Sequence, residues 1–146
     1  MKHFLIVLSI FIFSLTYISC STNDSTSSTT STTSNDNSTY SDNGTIFTVT
    51  VSSSKYYIDG ILTKSLTLKK GYTYFFDSTD STTNNHPLFI GTISTGGSYT
   101  YEYTSGVTKS RTTTETLTFI VPSDSPSTLY YNCGNHVAMG GTIKIM

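Results

Sequence analysis

From residue 45 onward, apolar and polar side chains alternate in short runs closed by turn residues. Ile46, Val49 and Val51 stand among threonines in TIFTVTV. Tyr56-Tyr57-Ile58 follows and ends at Asp59-Gly60, a pair suited to a tight hairpin turn. Ser65-Leu66-Thr67-Leu68 keeps a strict period of two, and Tyr72-Thr73-Tyr74-Phe75-Phe76 begins after Lys70-Gly71. Further runs of this kind cover 87–93, 98–103, 115–121, 129–132 and 141–145. The pattern predicts about eight short strands separated by Gly, Pro, Asp and Ser. No stretch of helical length carries an apolar face of helical period. Regularly spaced short strands predict an all-β sandwich or barrel.

The chain before this region has a different texture. Residues 1–20, MKHFLIVLSIFIFSLTYISC, place Lys2 before an apolar run over 4–18 that includes Ser9, Ser14 and Thr16. The run is short for a membrane span, which needs about 20 apolar residues, and reads as a signal sequence for export. Cys20 has two readings. Cleavage after it discards it; cleavage before it leaves an N-terminal cysteine for a lipid anchor, although Tyr17-Ile18-Ser19 matches a lipoprotein box only loosely. Residues 21–43 contain 15 Ser or Thr and one aromatic, Tyr40. Such a segment cannot bury enough apolar surface to offset its ordering entropy, so it reads as a disordered linker. Asn23, Asn37 and Asn43 each begin an N-glycosylation triplet. The organisation expected is therefore a signal at 1–20, a linker at 21–43 and one folded domain at 44–146.

Composition narrows the function. The 146 residues carry a formal charge of −1, and only 12% are charged. Loss of Lys2 with the signal leaves 7 basic and 9 acidic residues. Nucleic-acid binding, which needs a basic face, is excluded on this ground. Two cysteines cannot build a disulfide scaffold. With Cys20 at the signal boundary, Cys133 is an odd thiol in an exported domain.

The chemistry is concentrated in Tyr131-Asn132-Cys133-Gly134-Asn135-His136-Val137-Ala138-Met139-Gly140-Gly141, which contains C-x2-H-x2-M. Of three histidines, His3 leaves with the signal, so the exported chain keeps His86 and His136. Taken singly, each residue has an ordinary reading: a lone β-core cysteine is a small hydrophobe, a lone histidine sits at a surface, and a loop methionine packs. Together, one thiolate, two imidazoles and a weak axial thioether form the blue-copper ligand set. The predicted ligands are His86, Cys133 and His136 in the strong plane, with Met139 axial. Zinc also takes Cys and His but seldom Met. Gly134 and Gly140-Gly141 suit a tight ligand loop.

These segments resemble the cupredoxins, the small type 1 copper proteins, with a ligand loop of the short amicyanin type. The resemblance covers residues 45–146. Gly71-Tyr72-Thr73-Tyr74-Phe75-Phe76-Asp77 is similar to the strand leading to the first ligand, and Asn84-Asn85-His86-Pro87-Leu88 to the first-histidine segment. Thr118-Phe119-Ile120-Val121-Pro122 and Leu129-Tyr130-Tyr131-Asn132-Cys133 are similar to the strands entering the ligand loop. The resemblance implies an eight-stranded Greek-key sandwich, one copper ion cycling between Cu(I) and Cu(II), and the ligands His86, Cys133, His136 and Met139. It also implies a backbone carbonyl of Asn85 near the metal. Many members carry Asn after the first histidine, whose N–H bonds the cysteine sulfur. Here Pro87 has no N–H, while Asn135 keeps one where amicyanin-type loops have Pro, so one donor would replace the other.

The expected function is an exported, monomeric one-electron carrier rather than an enzyme. It would meet redox partner proteins through the His136 edge and a small apolar surface at Val137, Ala138 and Gly140. No nucleic acid and no small-molecule substrate are expected. A lipidated Cys20 would tether the protein to a membrane at the cell surface. Two other readings use the same fold: copper sequestration or delivery, and an adhesion or structural module without redox duty. Lys69-Lys70, Lys109 and Arg111 read as solvated faces, Asp77 and Asp80 as turn residues, and Tyr131 as core.

Overall fold

The computed structural model describes residues 44–146; the expected signal sequence and linker lie outside the described residues. Among the described residues, ten strands form: β1 (Thr45–Ser52), β2 (Lys55–Ile58), β3 (Ile61–Leu62), β4 (Leu66–Leu68), β5 (Thr73–Asp77), β6 (Leu88–Gly91), β7 (Val107–Thr108), β8 (Thr116–Ile120), β9 (Thr128–Cys133) and β10 (Gly141–Ile145). One 3₁₀ turn, Ser81–Thr83, lies between β5 and β6. The strands make two sheets, ordered β3-β2-β1-β5-β8-β7 and β4-β10-β9-β6. Both sheets are mixed, because β1 runs parallel to β5 and β4 runs parallel to β10. The all-β sandwich expected from the alternating pattern is present.

Period-two alternation sends one set of side chains from each sheet into a shared core. Phe47 and Val49 of β1, Tyr74 and Phe76 of β5, and Leu117 and Phe119 of β8 meet Leu66 and Leu68 of β4. Leu129 and Tyr131 of β9 and Ile143 of β10 complete this layer. Local turns fix the register at one edge. Ser53 and Ser54 both take left-handed φ in the two-residue link from β1 to β2, and Asp59-Gly60 does the same between β2 and β3. These are the mirror-image turns that match strand twist.

The run at 98–103 was expected to be a strand and is not. Its alternating Tyr99, Tyr101 and Tyr103 imitate a strand period, but Gly96 and Gly97, both left-handed, turn the chain back across β6. The segment becomes a strap of bends that meets β6 through Thr92 N–H to Tyr101 O (2.9 Å) and Tyr103 N–H to Ile90 O (2.8 Å). Tyr99 then packs edge-on against Phe89, with ring centroids 5.2 Å apart. That is why all four residues of β6 are buried rather than alternate ones. Two two-residue strands, β3 and β7, were not foreseen, being too short for any periodicity to register.

Arg111 completes the strap. Its guanidinium lies 4.3 Å from the centre of the Tyr99 ring, and its Nε donates to Glu102 Oε2 at 2.9 Å. Burial would raise the Glu102 carboxyl, but bonds from Arg111 and Ser110 outweigh it and hold the group below its usual value. Lys109 pairs with Glu115 at 3.7 Å. The basic residues 109 and 111 are thus held by acidic neighbours within the domain.

Truncating Phe76, fully buried at the centre of the six-stranded sheet, is expected to cost about 3–5 kcal/mol. Chemical denaturation of the Phe76→Ala protein without metal measures this.

Candidate metal centre

β9 ends at Cys133, and its alternation directs Leu129, Tyr131 and Cys133 into the core. β6 pairs with it antiparallel, with Leu88 opposite Cys133. The pairing runs one step further: Gly134 N–H donates to Pro87 O at 2.9 Å. Residue 86 therefore lies opposite the start of the ligand loop, although 47 residues separate His86 from Cys133. A second link joins the two segments where Asn135 Nδ2 donates to Asn85 O at 2.8 Å.

The approach to His86 is built from side-chain caps. Asp80 Oδ1 accepts from Thr82 N–H at 2.8 Å, and Val51 N–H of β1 donates to Thr82 Oγ1 at 2.9 Å. The chain then turns through Asn85, left-handed at φ 66°, and His86 N–H returns to Thr83 O at 2.8 Å. The ligand loop is held from the strap side by Gly97 N–H to Cys133 O (2.8 Å) and Ala138 N–H to Thr95 O (2.7 Å). Lys55 Nζ donates to Ala138 O.

These constraints bring three donor atoms together. Cys133 Sγ lies 3.9 Å from His86 Nδ1 and 3.5 Å from His136 Nδ1. Ligand atoms of His86, Cys133 and His136 all fall within 4.8 Å of one another. The two imidazole rings are 4.7 Å apart between centroids. Bond lengths of about 2.0 Å to nitrogen and about 2.3 Å to sulfur, at trigonal or tetrahedral angles, place sulfur and nitrogen about 3.5–3.7 Å apart. The observed sulfur–nitrogen distances lie at or close to that range, so the three side chains are grouped as one ion would need. Cys133 is fully buried, His86 half-buried and His136 exposed. The thiol is shielded and one imidazole faces solvent. Met139, 1% exposed, belongs to the same core cluster as Cys133.

The donor set has no carboxylate. Burial, and then the neighbouring His136 ring, hold the His86 imidazole below its ordinary value.

The glycines of the loop serve space rather than dihedral freedom. A Cβ on Gly134 would stand 2.1 Å from Tyr99 Oη, and one on Gly140 would stand 1.6 Å from Tyr131 O. Neither has the left-handed φ that the tight-loop reading expected. The Asn85 carbonyl, expected near the metal, accepts from Asn135 Nδ2. Asp77 and Asp80 are turn residues as read, each accepting from the backbone N–H two residues on. Tyr131 is core, its hydroxyl donating to Lys64 O at 2.9 Å. Two contributors had no signal in the sequence. Asn135 acts through its side chain across the site, and Tyr99 closes over Gly134 from a segment that reads as a strand.

No family model matches the chain, and no curated protein matches it. Among solved structures, a crystal structure of rusticyanin variants is similar, with 15% identity and a TM-score of 0.43, over 79% of this chain and 85% of that chain. The His86, Cys133 and His136 group itself resembles a type 1 copper ligand set.

The lowered His86 value has a sign. The unfolded chain holds this proton up to about pH 6.5, whereas the folded chain releases it at lower pH. Stability of the metal-free protein should therefore fall as the pH drops below that value. The decline should be shallower in His86→Gln. Thermal melts of both proteins between pH 7.5 and 5 test this.

Proposed function

We propose that this protein is a type 1 copper protein, exported from the cell, that carries one electron at a time between redox partner proteins. The observation that carries the reading is the convergence of a buried thiol and two imidazoles, brought from segments 47 residues apart, on one point of a β scaffold. Thiolate and thioether ligands favour copper in its Cu(I) state, and imidazole suits both copper states. That supports copper over zinc, with Met139 as the axial ligand.

When bound, copper supplies a reversible one-electron couple. The chain's own residues supply a rigid cage and an outlet. The ladder bond from Gly134 to Pro87, the Asn135–Asn85 link and the strap bonds hold the ligand segments from several sides. A cage that cannot relax makes little rearrangement when the charge on the ion changes. The solvent-facing His136 edge is the outlet. Val137 is 66% exposed beside it, Ala138 is exposed and Gly140 half-buried. Exposed Ile93 and Tyr101 line a cavity of about 190 Å³ beside the strap. A partner protein docked on this apolar rim would meet the imidazole edge, with the Lys55 ammonium at its Ala138 side. Export and the option of a lipid tether at Cys20 follow from the N-terminal sequence.

Adding Cu(II) to the protein should give an intense visible thiolate charge-transfer band and a narrow copper hyperfine splitting in the EPR spectrum. Cys133→Ser should abolish the band, and His136→Ala should alter both signals. A protein that stays colourless and binds no copper sinks the reading. One that binds copper yet gives Cu(I) up to a chelating acceptor protein, instead of cycling with it bound, belongs to copper delivery.

A further inference from the structure

Tyr56 is among the largest fully buried side chains of the domain. It stands on β2, in the sheet opposite the one that carries Cys133. The alternating pattern gives it only a strand position, and its ring packs against Tyr131, with centroids 6.3 Å apart. Its polar atoms have more specific partners. The hydroxyl donates to the backbone carbonyl of His86 at 2.6 Å. The backbone N–H donates to the carbonyl of Met139 at 3.0 Å. Lys55, the preceding residue, donates to the carbonyl of Ala138.

We infer that Tyr56 is a positioning residue for the metal centre, one side chain and one amide that tie two of the four proposed ligand residues, His86 and Met139, to the opposite sheet. The inference rests on the proposed copper reading. A hydroxyl has one proton and two lone pairs. Its one proton goes to the His86 carbonyl. The position after His86 is Pro87, which offers no N–H there. Tyr56 thus fastens this stretch of backbone from inside the core. Without the hydroxyl, the His86 carbonyl loses its partner in a buried place. The separation between the His86 ring and the Cys133 sulfur is then no longer fixed from the β2 side. Outer groups that orient metal ligands typically govern metal affinity about 10–100-fold.

The test compares Tyr56→Phe with Tyr131→Phe. The second variant removes the hydroxyl of the partner ring, which bonds Lys64 O away from the ligands, and so controls for general loss of core stability. Copper affinity is read by competition with a chelator, and ligand geometry by the charge-transfer band and the reduction potential. Tyr56→Phe should bind Cu(I) about tenfold or more weakly, with a displaced band and a shifted potential. Tyr131→Phe should match the wild type in all three. Equal behaviour of Tyr56→Phe and the wild type overturns the inference, as does an equal effect of the two variants.

Two wild-type measurements keep the inference falsifiable should Tyr56→Phe fail to fold. In the metal-free protein, the Tyr56 hydroxyl proton should be protected from exchange and visible by NMR. Its resonance should move when diamagnetic Cu(I) is added. An unprotected hydroxyl, or one indifferent to bound Cu(I), refutes the role. Absence of copper binding by the wild type refutes the copper reading instead, and a protected Tyr56 hydroxyl would then still show the His86 tie.

Discussion

One register governs the site: Leu88 opposite Cys133 in the antiparallel pair of β6 and β9. It places residue 86 against the start of the ligand loop and leaves Gly134 to extend the ladder to Pro87. Because side chains alternate, a slip of one residue would turn Cys133 to the outer face and bring Asn132 inward. Two things prevent the slip. Leu88 and Ile90 occupy the core on one side, while Phe89 is covered by Tyr99 on the other. A strand buried on both faces has no alternative setting that keeps its apolar groups dry.

The surroundings divide the labour between two kinds of bond. Apolar side chains from both sheets supply the cohesion of the sandwich. The loops that carry the donor atoms are also held by hydrogen bonds from elsewhere: residues 95 and 97 beside the strap, β1 through Val51, and β2 through Lys55 and Tyr56. Most of these partners are backbone groups, and those of Val51 and Tyr56 are placed by the six-stranded sheet. The donor atoms therefore inherit the rigidity of the core although they lie at its edge. Tyr99 adds a lid from outside, anchored by the Arg111 guanidinium on its far face.

Much of this was legible beforehand, and the reasons differ by feature. Alternation in 45–51, 65–68, 115–121 and 141–145 reports directly which face is buried, and strands formed within each of those runs. The set of His86, Cys133 and His136 was readable because the domain holds few residues of ligand type, and the structure brings those three together. The strap was misread because tyrosines at 99, 101 and 103 repeat every second residue for reasons of local packing, while the Gly96-Gly97 reversal leaves no mark on that repeat. Asn135, Tyr56 and Tyr99 were beyond reach, since each acts on residues distant in sequence. The glycines were rightly placed in the loop but for a different cause: neighbouring tyrosine atoms fill the space a Cβ would need.

The parallel pairing of β10 with β4 bears on when the molecule can assemble. β10 lies between β4 and β9, so the four-stranded sheet has no continuous middle until residues 141–145 have been made. A nascent chain stopped before Gly141 holds every donor residue yet cannot close the layer that sets their spacing. Such distant contacts also make for slow folding. Completion of the donor group's surroundings must therefore come after synthesis of residues 141–145, later than the appearance of the histidines and the cysteine.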